Sequence, residues 1–195
     1  MAIDFLVVGL GNPGKQYART RHNVGEETVG ILAGRYGVTL RSGRDDALVA
    51  ECAIGDHPVA LAFPLTFMNE SGRSVRALMK RFHVTDPQHL IVVHDELDLP
   101  PAVVRVKAGG GLAGNNGLRS ITDHLHTQDY LRVRIGIGKP PSKERGAVHV
   151  LSKLSKAERE HMDVAVQLAA DAVESIVAEG IDAAQRRFNV KSPAD

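Results

Sequence analysis

His22, Asp95 and three asparagines, Asn12, Asn69 and Asn116, are the residues whose types and settings suit acid–base chemistry. His22 ends a polar segment just where a helical pattern begins. An imidazole at a helix N-terminus has its pKa lowered and stays neutral at pH 7, as a general base requires. A base also needs an acceptor that orients it, and Asp95 closes an apolar run where a strand should end. The asparagines lie in glycine-rich or irregular segments, where amides can orient a water, hold a peptide backbone and stabilise an oxyanion without adding charge. Taken singly, these residues have plainer readings: His22 a capped, exposed histidine, Asp95 a turn residue, and each asparagine a turn former or cap. No Gly-x-Ser-x-Gly elbow is present, so a serine nucleophile is not indicated. His124 and His126 stand two apart on a predicted helix and point to different sides, which argues against a metal pair.

The elements that must position these groups can be read in order. Phe5 to Val8 is a short apolar strand, followed by Gly9-Leu10-Gly11-Asn12-Pro13-Gly14. That loop matches G-x-G-x-x-G, but Pro13 removes a backbone N–H, the helix starts well beyond the last glycine, and no acidic strand end follows at the right distance. A dinucleotide site is therefore disfavoured. Thr20 is the expected N-cap of a helix carrying Val24, Thr28, Ile31, Leu32 and Tyr36 and ending near Gly37. Residues 47–53 and 58–63 read as strands about a turn, and Val75, Leu78, Met79 and Phe82 mark a second helix. Leu90 to Val93 has the length of a buried central strand and delivers His94, Asp95 and Glu96 to its end.

Val103 to Lys107 alternates as a strand and leads into a hinge-like Gly109-Gly110-Gly111. Beyond it, Gly114 to Gly117 opens a helix that runs to about His126. Leu131, Val133, Ile135 and Ile137 form another alternating strand, and residues 140–146 read as a mobile polar loop. Ser155 with Glu158 forms a capping box for a long helix that stops at Gly180. Strands alternating with helices predict one α/β domain over residues 1–190, a twisted mixed sheet surrounded by helices, with a disordered tail at 191–195.

Composition bounds the partners. The chain has 195 residues, 43% hydrophobic and 24% charged, and is long enough to bury one sizeable core. Its single cysteine, Cys52, allows no intrachain disulfide or cysteine zinc site and fits a reducing cytosol. No signal peptide or membrane span is read from the sequence. A net charge of +1 alone predicts no polyanion, but residues 101–150 hold eight Lys and Arg against three Asp and Glu. Arg105, Lys107, Arg119, Arg132, Arg134, Lys139, Lys143 and Arg145 form either one phosphate-attracting face or scattered solvated charge; the sequence leaves both open.

Five segments together resemble the bacterial peptidyl-tRNA hydrolase family. They are Val7 to Gly14 with Tyr17 and Arg21-His22-Asn23; Met68 to Gly72; His94 to Asp98; Gly114 to Ser120; and Arg132 to Gly138. The match spans roughly residues 5–188 in the family's order. The resemblance implies a monomeric cytoplasmic enzyme, using no metal or other cofactor and no obligate protein partner. It would cleave the ester between a peptide and the 3′ ribose of tRNA and so recycle tRNA from abandoned translation. It further implies that His22 activates water and Asp95 fixes the imidazole. Asn12, Asn69 and Asn116 would line the pocket for the peptide and tRNA end, with Tyr17, Phe67 and Met68 beside them, and Lys107 and Arg134 would face the tRNA backbone. Asn12 is the candidate acceptor that admits an amide N–H but not a free ammonium. The family usually has His where this chain has Asn115, which keeps hydrogen-bonding capacity for the tRNA end but loses a titratable ring. Two other classes remain: an RNA binder on this scaffold without catalysis, and a dinucleotide oxidoreductase.

Overall fold

The apolar run that begins at Leu90 becomes a strand, β5 (Leu90–Glu96), buried along its whole length. In the computed structural model, which describes residues 2–190, it lies within a seven-stranded sheet. The other strands are β1 (Phe5–Gly9), β2 (Arg41–Ser42), β3 (Ala47–Ile54), β4 (His57–Pro64), β6 (Val104–Ala108) and β7 (Leu131–Gly136), in the order β2-β3-β4-β1-β5-β7-β6. β4, β1, β5 and β7 are mutually parallel, whereas β2, β3 and β6 pair antiparallel at the two flanks. The sheet is therefore mixed, as the alternation of strands and helices implied.

Six helices complete the described residues: α1 (Val24–Arg35), α2 (Ser71–Arg81), α3 (Asn116–Leu125), α4 (Gly146–Leu151), α5 (Lys156–Glu179) and α6 (Ile181–Phe188). Side chains alternate across the sheet with period two. Val7, Ile91, Val93 and Val133 meet Val24, Leu32, Val166, Val173 and Ile176 from α1 and α5 on one face. Leu6, Val8, Leu90 and Val92 meet Val75, Leu78, Leu118 and Ile121 from α2 and α3 on the other. Each fully buried Val or Leu in these layers contributes about 2 kcal/mol of transfer free energy, so a charge at Val173 would break the packing of α5.

The topology fixes where a site can form. The chain leaves β1 toward α1 on one face, whereas from its neighbour β5 it runs through β6 to α3 on the opposite face. A crevice opens where adjacent parallel strands diverge in this way, outside their carboxyl ends. Two glycines bring α1 hard against that point. A Cβ on Gly9 would lie 2.2 Å from the Gly25 carbonyl oxygen, and one on Gly25 would lie 2.2 Å from that of Val93. Of the G-x-G-x-x-G glycines, Gly9 thus serves close backbone packing, and a Cβ on Gly11 would meet the Asn23 side chain at 2.8 Å.

Several local expectations are corrected. The Thr20 hydroxyl donates to the Tyr17 carbonyl (2.7 Å) instead of capping, and a 3₁₀ turn, Arg21–Asn23, intervenes before α1. Gly109 to Gly111 is no hinge: the Gly109 N–H donates to Tyr130 and the Gly110 and Gly111 carbonyls accept from the Arg132 guanidinium. The polar stretch read as a loop carries a 3₁₀ turn (Lys143–Arg145) that runs into α4. β2, α4 and α6 were not anticipated, while the Ser155–Glu158 capping box and the stop at Gly180 are present. The tail at 191–195 lies outside the described residues.

Candidate active site

Three connections and the end of β5 converge at the carboxyl ends of β1, β4 and β5. The loop after β1 supplies Asn12, and the 3₁₀ turn before α1 supplies His22. The segment after β4 supplies Phe67, Met68 and Asn69, β5 supplies Asp95, and the start of α3 supplies Asn115 and Asn116. His22 is 8% exposed, with Nδ1 2.8 Å from Oδ2 of Asp95, itself 3% exposed. A carboxylate only accepts, so Nδ1 carries the hydrogen and the neutral ring keeps its lone pair on Nε2.

The electrostatics of His22 differ from the expectation of a lowered pKa. Burial does push the imidazole down, but the charge of Asp95 and its hydrogen bond together outweigh burial, and the net shift is upward. The neutral ring is therefore a stronger base, available over a higher pH range than that of a free histidine. His94, by contrast, is pushed down by burial, and its Nδ1–H donates to the Asp95 carbonyl at 2.8 Å.

Asn12 is held from two sides. Its backbone N–H donates to Oδ1 of Asn23 and its carbonyl accepts from Nδ2 of Asn23, both at 2.9 Å. Its side-chain Oδ1 accepts the Met68 N–H at 2.7 Å. That contact fixes the amide orientation: Oδ1, the expected acceptor, already takes one hydrogen bond, and Nδ2 is the donor that makes none among the described residues. Asn23, fully buried, positions Asn12, a role with no sequence signal beyond its place beside His22.

Two cavities of about 250 Å³ each meet at His22. One is lined by Asn12, Phe67, Met68, Asn69, Asn116 and Leu151; the other by Asp95, Leu97, Ala113, Gly114, Asn115 and Asn116. Ala147 and Val150 of α4 border both. The Asn69 and Asn116 side chains are exposed and make no hydrogen bond among the described residues, so both amides are free for a ligand. Tyr17 stands edge-on to Phe67, ring centroids 6.4 Å apart, and Phe67 is 54% exposed at the mouth. The α4 wall escaped the sequence reading; its apolar residues flanking a glycine were the one signal. A larger groove of about 1080 Å³ between α5, α6 and β6 contains none of these groups.

Asn115 is less open than expected for a contact to the tRNA end. It is 8% exposed, its Oδ1 accepts from the N–H groups of Gly117 (2.9 Å) and Leu118 (3.1 Å), and its Nδ2 donates to Asp95. The basic segment also divides. Arg132 is 2% exposed, bonded to the carbonyls of Gly110, Gly111 and Gln128 and set 4.6 Å over the Tyr130 ring, so it cannot serve a phosphate face. Arg134 is partly exposed, with Nε 2.9 Å from Glu96, whereas Lys107 is exposed and makes no ion pair among the described residues. No cluster of metal-ligating side chains occurs among the described residues, and no helix there is long and apolar enough to cross a membrane.

A buried His–Asp pair among exposed amides, at the switch point of an α/β sheet, is a setting suited to hydrolytic chemistry. The sequence model of the family described as peptidyl-tRNA hydrolase matches residues 6–195. A peptidyl-tRNA hydrolase of Kineococcus radiotolerans is 48% identical over 196 residues, covering 97% of this chain and 98% of that protein. One from Nocardia farcinica is 50% identical over 188 residues, covering 94% and 95%. The crystal structure of peptidyl-tRNA hydrolase from Acinetobacter baumannii superposes with a TM-score of 0.92 at 41% identity, covering 99% of both chains. This chain belongs to the peptidyl-tRNA hydrolase family.

Proposed function

We propose that this protein hydrolyses the ester joining a peptide to the 3′ ribose of tRNA, with His22 as general base. Nε2 of His22 takes a proton from water as the water oxygen attacks the ester carbonyl. The tetrahedral intermediate collapses by breaking the carbonyl–ribose bond, and the imidazolium returns the proton to the departing 3′ oxygen. Asp95 keeps the ring in the Nδ1–H tautomer and stabilises the imidazolium. The amide donors of Asn12, Asn69 and Asn116 serve the developing oxyanion and the peptide carbonyls.

The observation that carries this reading is the 2.8 Å contact between His22 and Asp95, with His22 lining both cavities. Two cavities suit a substrate with two unlike halves joined at one ester. The Asn12 donor also supports selectivity for a blocked amino end, since a donor attracts a carbonyl and repels an ammonium. Tyr17, Phe67 and Met68 contact the substrate at the mouth, while Lys107 and Arg134 hold the tRNA backbone and make binding salt-dependent. The enzyme works as a cytoplasmic monomer without metal, recycling tRNA from abandoned translation.

The test is release of an N-blocked amino acid from its tRNA by wild type and by His22→Ala. The expected result is turnover by wild type and a loss of about 10³-fold or more in the variant, with tRNA binding retained. Wild type that binds tRNA and releases nothing would overturn hydrolysis and leave an RNA-binding protein.

A further inference from the structure

We infer that Asn115 is a positioning residue of the hydrolytic site, tying the Asp95 carboxylate, and through it the His22 imidazole, to the first turn of α3. The inference rests on the function proposed above and adds a residue to it. The Asp95 carboxylate is bonded on both oxygens: Oδ2 by Nδ1 of His22 at 2.8 Å and Oδ1 by Nδ2 of Asn115 at 3.2 Å. The same Nδ2 lies 3.3 Å from the Asp95 backbone carbonyl. With only His22 attached, the carboxylate would retain freedom about its terminal torsion, and the ring would share that freedom.

Asn115 is in turn immobilised by the helix it caps. Its Oδ1 takes two of the N–H groups that no intrahelical carbonyl can reach, and its backbone carbonyl accepts from Arg119 at 3.0 Å. Capping calls for an acceptor and holding Asp95 calls for a donor. An amide of this length offers both: serine caps without reaching back to Asp95, and aspartate caps but has no donor. Asn115 also carries no titratable group, so His22 and Asp95 remain the ionising pair in contact with each other. The imidazoles nearby are otherwise engaged. His94 on β5 donates to the Asp95 carbonyl, and Nε2 of His149 on α4 donates to the carbonyls of Ile137 and Gly138. Glu96, the next residue on β5, pairs with Arg134.

Asn115→Ser separates the two roles, because serine preserves the cap and removes the donor to Asp95. The expected result is kcat at least tenfold lower, KM for an N-blocked aminoacyl-tRNA within about twofold, and an unchanged thermal midpoint. Without its Asn115 donor, Asp95 concentrates charge on the imidazole, so the His22 ring titration followed by NMR should move to higher pH, and the acid limb of kcat with it. Asn115→Asp, also a good cap, should move that titration further in the same direction. Wild-type kcat and an unmoved His22 titration in Asn115→Ser would reduce Asn115 to a helix cap and overturn the inference. A raised KM with unchanged kcat and titration would make it a substrate contact and overturn it equally. The NMR readout requires no turnover, so failure of the hydrolase reading, seen in wild type, is distinguishable from failure of this one.

Discussion

The cluster around His22 and the β6–β7 flank are both polar regions beside the same sheet, but their side chains are used in different ways. Around His22, polar groups from four chain segments bond in two short chains: Asn23 to Asn12 to Met68, and His22 to Asp95 to Asn115. Within each chain one group fixes the next, and what remains free is one ring nitrogen, Nδ2 of Asn12 and the amides of Asn69 and Asn116. On the flank, register pairs Arg105 with Arg134 and Lys107 with Arg132, four cationic positions that alternate with the residues packed on the α5 core, although the Arg105 guanidinium reaches round to the Phe188 carbonyl of α6. Their environments then diverge, from the buried Arg132 to the exposed Lys107. Side-chain type predicts chemistry where a network commits every partner; along a strand, what covers each residue decides.

The largest expected effect tests the network. Asp95→Asn should lower kcat by about 10³-fold or more, because an amide no longer enforces the Nδ1–H tautomer, while the thermal midpoint changes little. A loss under tenfold in single-turnover ester release would mean that the cluster does not depend on mutual fixation. The flank is tested next by Arg132→Ala, which strands the carbonyls of Gly110, Gly111 and Gln128. Urea unfolding should register a loss of about 3 kcal/mol; a loss within 0.5 kcal/mol, roughly the scatter of surface substitutions, would erase the distinction drawn between Arg132 and its exposed neighbours.

The His22–Asp95 pair should give activity and stability opposite pH trends. Because the folded pKa of His22 is raised, kcat/KM should climb about tenfold per pH unit below that pKa and level off above it. The pair's contribution to folding is fully present below the unfolded value of 6.5 and is lost as pH rises through the folded pKa. Stability curves for wild type and His22→Ala that stay parallel across this window would contradict the pairing. The smallest effect belongs to Lys107→Ala, with stability within about 0.5 kcal/mol of wild type, tRNA KM raised a few-fold, and the salt dependence of binding flattened by about one ion. An unchanged salt slope would remove Lys107 from the phosphate face.

Much of the site was legible because its signals were local. The apolar run from Leu90 to Val93, bounded by charged residues, reads as a buried strand whose end presents Asp95, and Gly-rich turns beside strand ends mark Asn12 and Asn116. α4 was not legible: six residues carry too little periodicity to distinguish a helix from a loop. It is held by tertiary bonds, His149 to the carbonyls of Ile137 and Gly138 just past β7 and Arg21 to Ser152 at its C-terminal end. The direction of the His22 shift was out of reach even with Asp95 named as its partner, since whether the carboxylate outweighs burial depends on a 2.8 Å approach across 73 positions of the chain.

By itself the sequence determined the longer strands and helices and their order, the apolar faces and the chemical types brought to the strand ends, because side-chain periodicity and turn chemistry act over a few residues. The tertiary structure decided which of those groups are bonded to each other. It gave Asn115 to Asp95 and α3, buried Arg132 under a glycine run, and set α4 as a wall of the site. Each of these depends on contacts between distant segments, and the free energy of such a contact comes from burial and hydrogen-bond completion that no local stretch contains.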